Sequence, residues 1–348
     1  MSPGRLCAFL PPVYPTILAG CILTGHFRIA VVVVSSLLAA GLVYLTWRIG
    51  DRLFGRRTGL LAAGMCAVYP YYIWHDTVVQ ENATLAFVVA LALWCLIRSR
   101  VSSRWAVAAG VALGLCALTK TTLLLFAIAA PLWIAVDHGK LRFTVAAYLG
   151  LILTLIPWLV RTQLIVGAPI LYSDTGRSLF VAHNPFVFDY FPEQSLDMVT
   201  RPAFESLTAE ERLELARATE ADPHGLARSD WLWRRGMAYI EQHRLLSVWE
   251  GFRKIGIGFS PLFSPRKSAV EQSLYFLSYF PLLVGSIAAA WRLRARWREL
   301  GFFYLLIVMF ALGTAVFWAH TSHRMYLDPC LMILSASTLT NLRDVRSR

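Results

Sequence analysis

Acidic side chains are scarce in this chain. Its 348 residues hold 21 Asp and Glu against 33 Lys and Arg, and no acid precedes Asp51. Charged residues make up 16% of the whole, where a soluble domain carries about 25%. With 57% hydrophobic residues and a mean hydropathy of +0.55, a soluble fold is excluded and an integral membrane protein indicated. Paired cysteines are missing as well. The six that occur, Cys7, Cys21, Cys66, Cys95, Cys116 and Cys330, stand singly in apolar runs, and none has metal-ligand spacing. They read as structural thiols, and no metal site is expected. The polar stretch 161–270 contains neither a glycine-rich phosphate loop nor a serine elbow. No cleavable signal peptide is read either, because Leu6 to Leu10 is too short an apolar core before Pro11 and Pro12.

What is present is apolar sequence in long blocks. Runs lie at 29–47, 59–75, 83–97, 105–119, 122–136, 143–160, 273–291, 302–319 and 326–341. Several are shorter than the roughly 20 residues an untilted span needs. The expected fold is an all-α polytopic membrane protein with about nine transmembrane helices and a small helical extracytoplasmic domain. Its parts are a proline-rich outer juxtamembrane segment (1–28), an N-terminal bundle of about six spans (29–160), a helical cap (161–270) and a C-terminal segment of about three spans (271–348).

The location of the charge fixes the orientation. Residues 161–270 carry 13 basic and 13 acidic side chains, so the net charge of +12 belongs to the membrane part. That distribution argues against a nucleic-acid partner and for membrane topology. If every run crosses once, 16 basic residues in the turns at 48–57, 98–104, 140–142 and 292–298 and in the C-terminal tail share one side, which is expected to be cytoplasmic. The opposite, extracytoplasmic side then receives Arg28, the His75–Glu81 turn, Lys120, the cap and the His320–Arg324 turn.

Within the cap, Ser206 or Thr208 followed by Glu210 and Glu211 signals a capped helix start. Asp222-Pro223-His224-Gly225 ends that helix, a second is expected from Ser229 to Tyr239, and a third around Leu246–Ile255. The tripeptide Asn82-Ala83-Thr84 matches a glycan acceptor but abuts a span and is discounted.

Chemistry on the outer face centres on unlike charges at membrane depth. Lys120 is a lone cation in a tight turn, suited to a lipid phosphate or to a structural pair with Glu81. Arg161 and Arg177 open the cap, and Arg324 lies beside His320 and His323. A His-x-x-His pair has no third metal ligand, so this turn reads as an oxyanion site, not a zinc site. Lys120, Arg161, Arg177, His320, His323 and Arg324 are therefore the candidate phosphate-binding residues, with Asp76 and Glu81 as candidate catalytic carboxylates. No divalent metal or other cofactor is called for by any motif. The expected substrate is a lipid-linked phosphate entering sideways from the bilayer.

Several segments, in order, resemble the bacterial family 39 glycosyltransferases, relatives of the protein O-mannosyltransferases and aminoarabinose transferases. They are PPVYP (from Pro11), GDRLFGRRTGLLAAGMCAVYP (from Gly50), GVALGLCALTK (ending at Lys120), PWLVRTQLIVGAPILYSDTG (from Pro157) and HRMYLDPCLMIL (from His323). The resemblance implies a GT-C-type helical bundle in the bacterial inner membrane with its active face extracytoplasmic. It implies inverting transfer of a sugar from a polyprenyl-phosphate carrier to a glycan, lipid or protein acceptor. On this reading Lys120, Arg161, His323 and Arg324 face the donor phosphate and Glu81 belongs to the polar wall. Family members carry a first span and an acidic outer loop ahead of the proline-rich segment. The resemblance therefore implies that the catalytic base of that loop is absent from this chain, as in an N-terminally truncated relative. The alternatives are a non-catalytic membrane subunit that binds the lipid carrier and an O-antigen polymerase or ligase. No pair of broken helices suggests a transporter.

Overall fold

A computed structural model of the chain describes residues 8, 10–76, 78–263, 265–317 and 320–346. Among the described residues the regular elements are helices, with no strand. The chain opens with α1 (Val13–Leu23), α2 (Phe27–Phe54), α3 (Arg56–Ala67), α4 (Pro70–Asp76), α5 (Asn82–Arg98) and α6 (Ser103–Thr119). A short 3₁₀ turn at Thr121–Leu123 leads into α7 (Leu124–His138), then α8 (Leu141–Val166). The polar stretch supplies α9 (Thr175–Ala182), α10 (Thr200–Glu205), α11 (Ala209–Ala221), α12 (Leu226–Gln242) and α13 (Arg244–Gly258). The chain closes with α14 (Ala269–Arg292), α15 (Gly301–Val316), a 3₁₀ turn at Thr321–Leu327 and α16 (Asp328–Arg346).

Among the described residues, four helical segments are long and apolar enough to cross a membrane: Phe27–Phe54, Thr121–His138, Leu141–Val166 and Ala269–Arg292. Val13–Leu23, Asn82–Arg98, Ser103–Thr119 and Gly301–Val316 are apolar but shorter. Against the expected count of about nine spans, the described residues show four helices of full length. The run 59–75 is not one helix, because the chain breaks between Ala67 and Pro70. Pro70 donates no hydrogen bond and has a fixed φ, so it starts a new helix. Conversely, the prolines at 11, 12 and 15 conceal α1. Two precede it, and the third falls in the first turn, where a missing N–H costs little.

The helices divide into two units. The larger comprises Pro12–Leu155, Ala269–Met309 and the chain from Arg324 onward. Its central element is α5, with 13 of 17 residues buried, as an all-round apolar helix should be. The outer faces of α2 and α14 stay bare, with Val32, Val33 and Leu37 on one and Leu277, Val284 and Ile287 on the other exposed. Such surface is stable only against lipid or another protein. Helices α6 and α8 approach so closely that a Cβ on Gly110 would collide with the Ala147 carbonyl oxygen. At one end of this unit Arg100 clamps Asp137 with bonds of 2.6 and 2.9 Å. Arg296 holds Glu299 at 2.7 Å and the Leu53 carbonyl at 2.9 Å, and Glu299 lies 3.8 Å from Arg100. Four turns expected on one side of the membrane therefore meet.

The smaller unit comprises Ile156–Ser268 and Phe310–His323, with the chain up to Pro11. Its core gathers Phe180, Val181, Val199, Ala203, Leu207 and Leu232. Thr208 caps α11 in a reciprocal box with Glu211, the signal read from sequence. Helix α12 starts earlier than the expected Ser229, because the Asp222 carboxylate accepts the backbone N–H groups of Leu226 and Ala227 at 2.6 and 3.0 Å. The third helix, α13, outruns its expected bounds at both ends.

Candidate functional site

In the larger unit, Lys120 ends α6 in an extended conformation, and Glu81 precedes the first residue of α5. Lys120 Nζ lies 3.3 Å from Glu81 Oε1. Burial pushes the Glu81 carboxyl upward, but the Lys120 charge and hydrogen bonds outweigh it and hold the group below the ordinary carboxylate range. Glu81 is thus ionised and occupied. Next to it, Asn82 Nδ2 bonds Gln80 Oε1 at 3.0 Å and approaches His75 Nδ1 at 3.4 Å. With Asn82 buried, its glycan-acceptor reading finds no access. Asp76 ends α4, and its side chain lies outside the described residues, as do the side chains of Cys7 and of Arg343, Arg346 and Arg348.

Arg324 belongs to the same unit and is 0% exposed, as is Asp328 one helical turn on. Its Nε lies 3.6 Å from Asp328 Oδ1, an ion pair longer than a hydrogen bond. Its Nη2 donates to the Tyr275 hydroxyl, and the guanidinium carbon sits 3.4 Å from the Tyr279 ring centre. Tyr275 and Tyr279 stack at 5.8 Å, and Tyr71 packs on Tyr275 at 5.2 Å. Tyr72 donates to the Met325 carbonyl at 2.7 Å. The Arg324 charge is therefore met by a carboxylate and two aromatic faces. This tyrosine enclosure was not visible in sequence, because residues 69–72, 275–279 and 324–328 become neighbours only on folding.

In the smaller unit, Arg161 lies inside α8 and not in the loop after it, since α8 continues to Val166. Its guanidinium rests 4.6 Å over the Trp158 ring, and Trp158 Nε1 donates to the Leu171 carbonyl at 3.3 Å. Arg161 Nη1 is buried with no hydrogen-bond partner among the described residues. A buried, unmatched guanidinium nitrogen is costly unless an anion meets it.

Arg177 lies 3.6 Å from the buried Asp174. It also lines a cavity of about 890 Å³ with Arg201, Arg212, Arg228, Phe204 and Asp197. Burial pushes the Asp174 carboxyl up against the pull of Arg228 and Arg177. Arg201 pairs with Glu205 at 2.7 Å, and Arg228 lies 6.0 Å over the Phe204 ring. Sequence reading found Arg177 and missed the three arginines that share its cavity, which come from α10, α11 and α12.

His320 Nδ1 accepts the Ser322 backbone N–H at 3.1 Å, and its ring lies 5.9 Å from that of His323. No group of three or more metal-ligating side chains occurs among the described residues. A second buried cluster went unread: Lys254 Nζ donates to the Ala182 carbonyl at 2.7 Å, and His183 Nε2 lies 2.7 Å from the Val316 carbonyl. Burial and the Lys254 charge pull His183 down to about 4, and burial pulls Lys254 down to about 8 against the pull of Glu250. Lys120 and Arg324 thus lie in one unit, and Arg161, Arg177, His320 and His323 in the other.

Residues 10–161 match a family described as dolichyl-phosphate-mannose-protein mannosyltransferase. The match ends on Arg161. The chain resembles the GT-C glycosyltransferases. An oligosaccharyltransferase of the archaeon Archaeoglobus fulgidus, solved with a tethered acceptor peptide, superposes with a TM-score of 0.57 at 15% identity over 98% of this chain. The same organism's AglB, solved with an inhibitory peptide and dolichol phosphate, gives 0.55 at 16% identity over 97% of this chain. The chain spans 42% of the length of each. ArnT of Cupriavidus metallidurans, solved with undecaprenyl phosphate, gives 0.41 at 14% identity, covering 97% of this chain and 69% of its own. No curated protein matches the chain by sequence. The GT-C likeness and the apolar helices together make this an integral membrane protein with an all-helical, GT-C-like fold.

Proposed function

We propose that the protein is a membrane glycosyltransferase that takes a sugar from a polyprenyl-phosphate carrier and delivers it, with inversion, to an acceptor on the outer face of the bacterial inner membrane. The observation that carries this reading is Arg161. Its buried Nη1, without a hydrogen-bond partner among the described residues, needs the anion that a departing lipid phosphate supplies. In that role it meets the charge that develops as the glycosidic bond breaks, where a preorganised donor is worth most. In the larger unit Lys120 is the candidate cation for a phosphate, its 3.3 Å partner Glu81 giving way to, or sharing it with, such an anion. His320 and His323 remain candidates to flank that phosphate, and Arg324 acts by holding the tyrosine enclosure together. The arginine cavity around Arg177 is the proposed acceptor site, suited to an acceptor with an anionic group.

The general base is assigned to Asp76 before Glu81, because a carboxylate held low by Lys120 is a poor proton acceptor. That occupied state of Glu81 also favours a second reading, in which the chain binds the lipid carrier as a non-catalytic subunit. Incubating proteoliposomes with a labelled polyprenyl-phosphate sugar and an acceptor extract distinguishes the two. Released lipid phosphate supports transfer, and saturable donor binding without release supports the subunit.

A further inference from the structure

Helix α13 is amphipathic in the inverted sense. Its polar side chains point inward: Ser247, Glu250 and Lys254 are buried, with Lys254 at 0% exposed. Its large apolar side chains point outward: Leu245 is 88% exposed, Val248 60%, Trp249 61% and Phe252 64%. Their spacing of three, four and seven residues places them on one stripe. In water a helix that hides a lysine and a glutamate while presenting a tryptophan and a phenylalanine would be oriented at a large cost. In lipid the same orientation is the stable one, since the apolar groups meet the acyl chains and Lys254 is held inside by the Ala182 carbonyl at 2.7 Å.

The packing of the opposite face sets the stripe beside apolar sequence. Gly251 lies 3.5 Å from Ala315, and Gly258 meets Phe310 and Thr314 at 3.2 and 3.3 Å, measured from where a Cβ would stand. Helix α13 therefore runs along the last turns of α15, an apolar helix with no charged residue from Gly301 to Val316. On that neighbour Leu312 and Val316 are themselves exposed. The face opposite the stripe is thus held against a segment of membrane composition, and the stripe itself stays uncovered. Arg244 at the start of α13 and Arg253 beside Phe252 are exposed, and Arg253 covers the Phe188 ring at 3.8 Å. An apolar stripe with a tryptophan, flanked by arginines, fits the boundary between acyl chains and headgroups.

We infer that α13 is an interfacial helix whose Leu245, Val248, Trp249 and Phe252 side chains are immersed in the bilayer. The stretch read from sequence as an extracytoplasmic helical cap thereby carries a lipid-binding surface of its own. This rests on the membrane character of the chain and not on the transferase reading.

The test uses the full-length protein in nanodiscs of phosphatidylethanolamine and phosphatidylglycerol, with spin labels on Val248→Cys and Phe252→Cys. Asp230→Cys on α12, 65% exposed at its side chain, is the aqueous control. The unsubstituted protein gives the label background, since its described cysteines are buried. Expected is a several-fold higher ratio of oxygen to nickel-chelate collisions at 248 and 252 than at 230. A ratio equal to that at 230 would place the stripe in water and overturn the inference. Low collision with both reagents would place it under another protein chain and overturn it equally. A folded, monodisperse profile on size exclusion qualifies each variant for comparison.

Discussion

The guanidinium of Arg324 stacks on the Tyr279 ring at 3.4 Å while its counter-ion, Asp328, lies 3.6 Å away, and arginine and aspartate alike are shut off from solvent. A cation enclosed in this way acts first on the fold. Removing it strands a buried carboxylate, which accepts no hydrogen bond among the described residues.

Arg324→Met should therefore destabilise the protein by about 3–5 kcal/mol, the usual cost of leaving one partner of a buried pair. Thermal unfolding in detergent followed by size exclusion reads the loss. Arg324→Met combined with Asp328→Leu should recover much of it. If the single substitution leaves the melting temperature unchanged and weakens only donor binding, Arg324 is a ligand and not a structural cation.

At Glu81 and Lys120 the expectation reverses. Both side chains are partly exposed, 37% and 18%, so their ion pair contributes at most about 1 kcal/mol after solvent screening. Glu81→Gln should melt close to the parent protein and still bind donor, while Lys120→Ala should weaken donor binding. A large drop in stability for Glu81→Gln would show that the turn depends on the pair.

How much of this was legible beforehand depends on range in sequence. The Thr208–Glu211 capping box and the helices around it follow from local spacing, and the structure carries them. The inverted face of α13 was not read, since its hydrophobic spacing alone does not say which side packs inward; Ala182 and Ala315, distant in sequence, decide that. The same holds for the arginine cavity, whose members lie on separate helices. The break at Pro70 was misjudged because hydropathy counts a proline as tolerable within an apolar run, whereas the backbone does not. Arg161 was read as a phosphate ligand from its position after an apolar run; its unmatched Nη1 adds a physical reason.

His183 offers a pH test. Its folded pKa of about 4 lies below the ordinary 6.5, so the stability associated with the neutral ring is complete above about pH 6.5 and declines as pH falls through 4. Relative to His183→Gln, the parent should lose stability over that window, on the order of 3 kcal/mol in full. Melting curves of the two proteins at pH 7 and pH 4 supply the comparison. Parallel behaviour at both pH values would mean that His183 is not held neutral.

In the arginine cavity, Arg228 has no carboxylate within ion-pair distance among the described residues and lies over Phe204. Arg228→Ala should leave the stability within about 0.5 kcal/mol of the parent, as for a surface change. It should raise the KM for an anionic acceptor several-fold while leaving donor affinity unchanged. An unchanged acceptor KM would remove the cavity from the acceptor site.

The central claim is that a polyprenyl phosphate is met by Arg161. The direct measurement is the rate at which reconstituted protein releases lipid phosphate from a labelled polyprenyl-phosphate sugar in the presence of acceptor, for the parent, Arg161→Lys and Arg161→Ala. Release by the parent is expected, with a loss of about 100-fold or more in Arg161→Ala and an intermediate rate for lysine. Equal release by all three, from proteins of equal melting temperature, would contradict the claim.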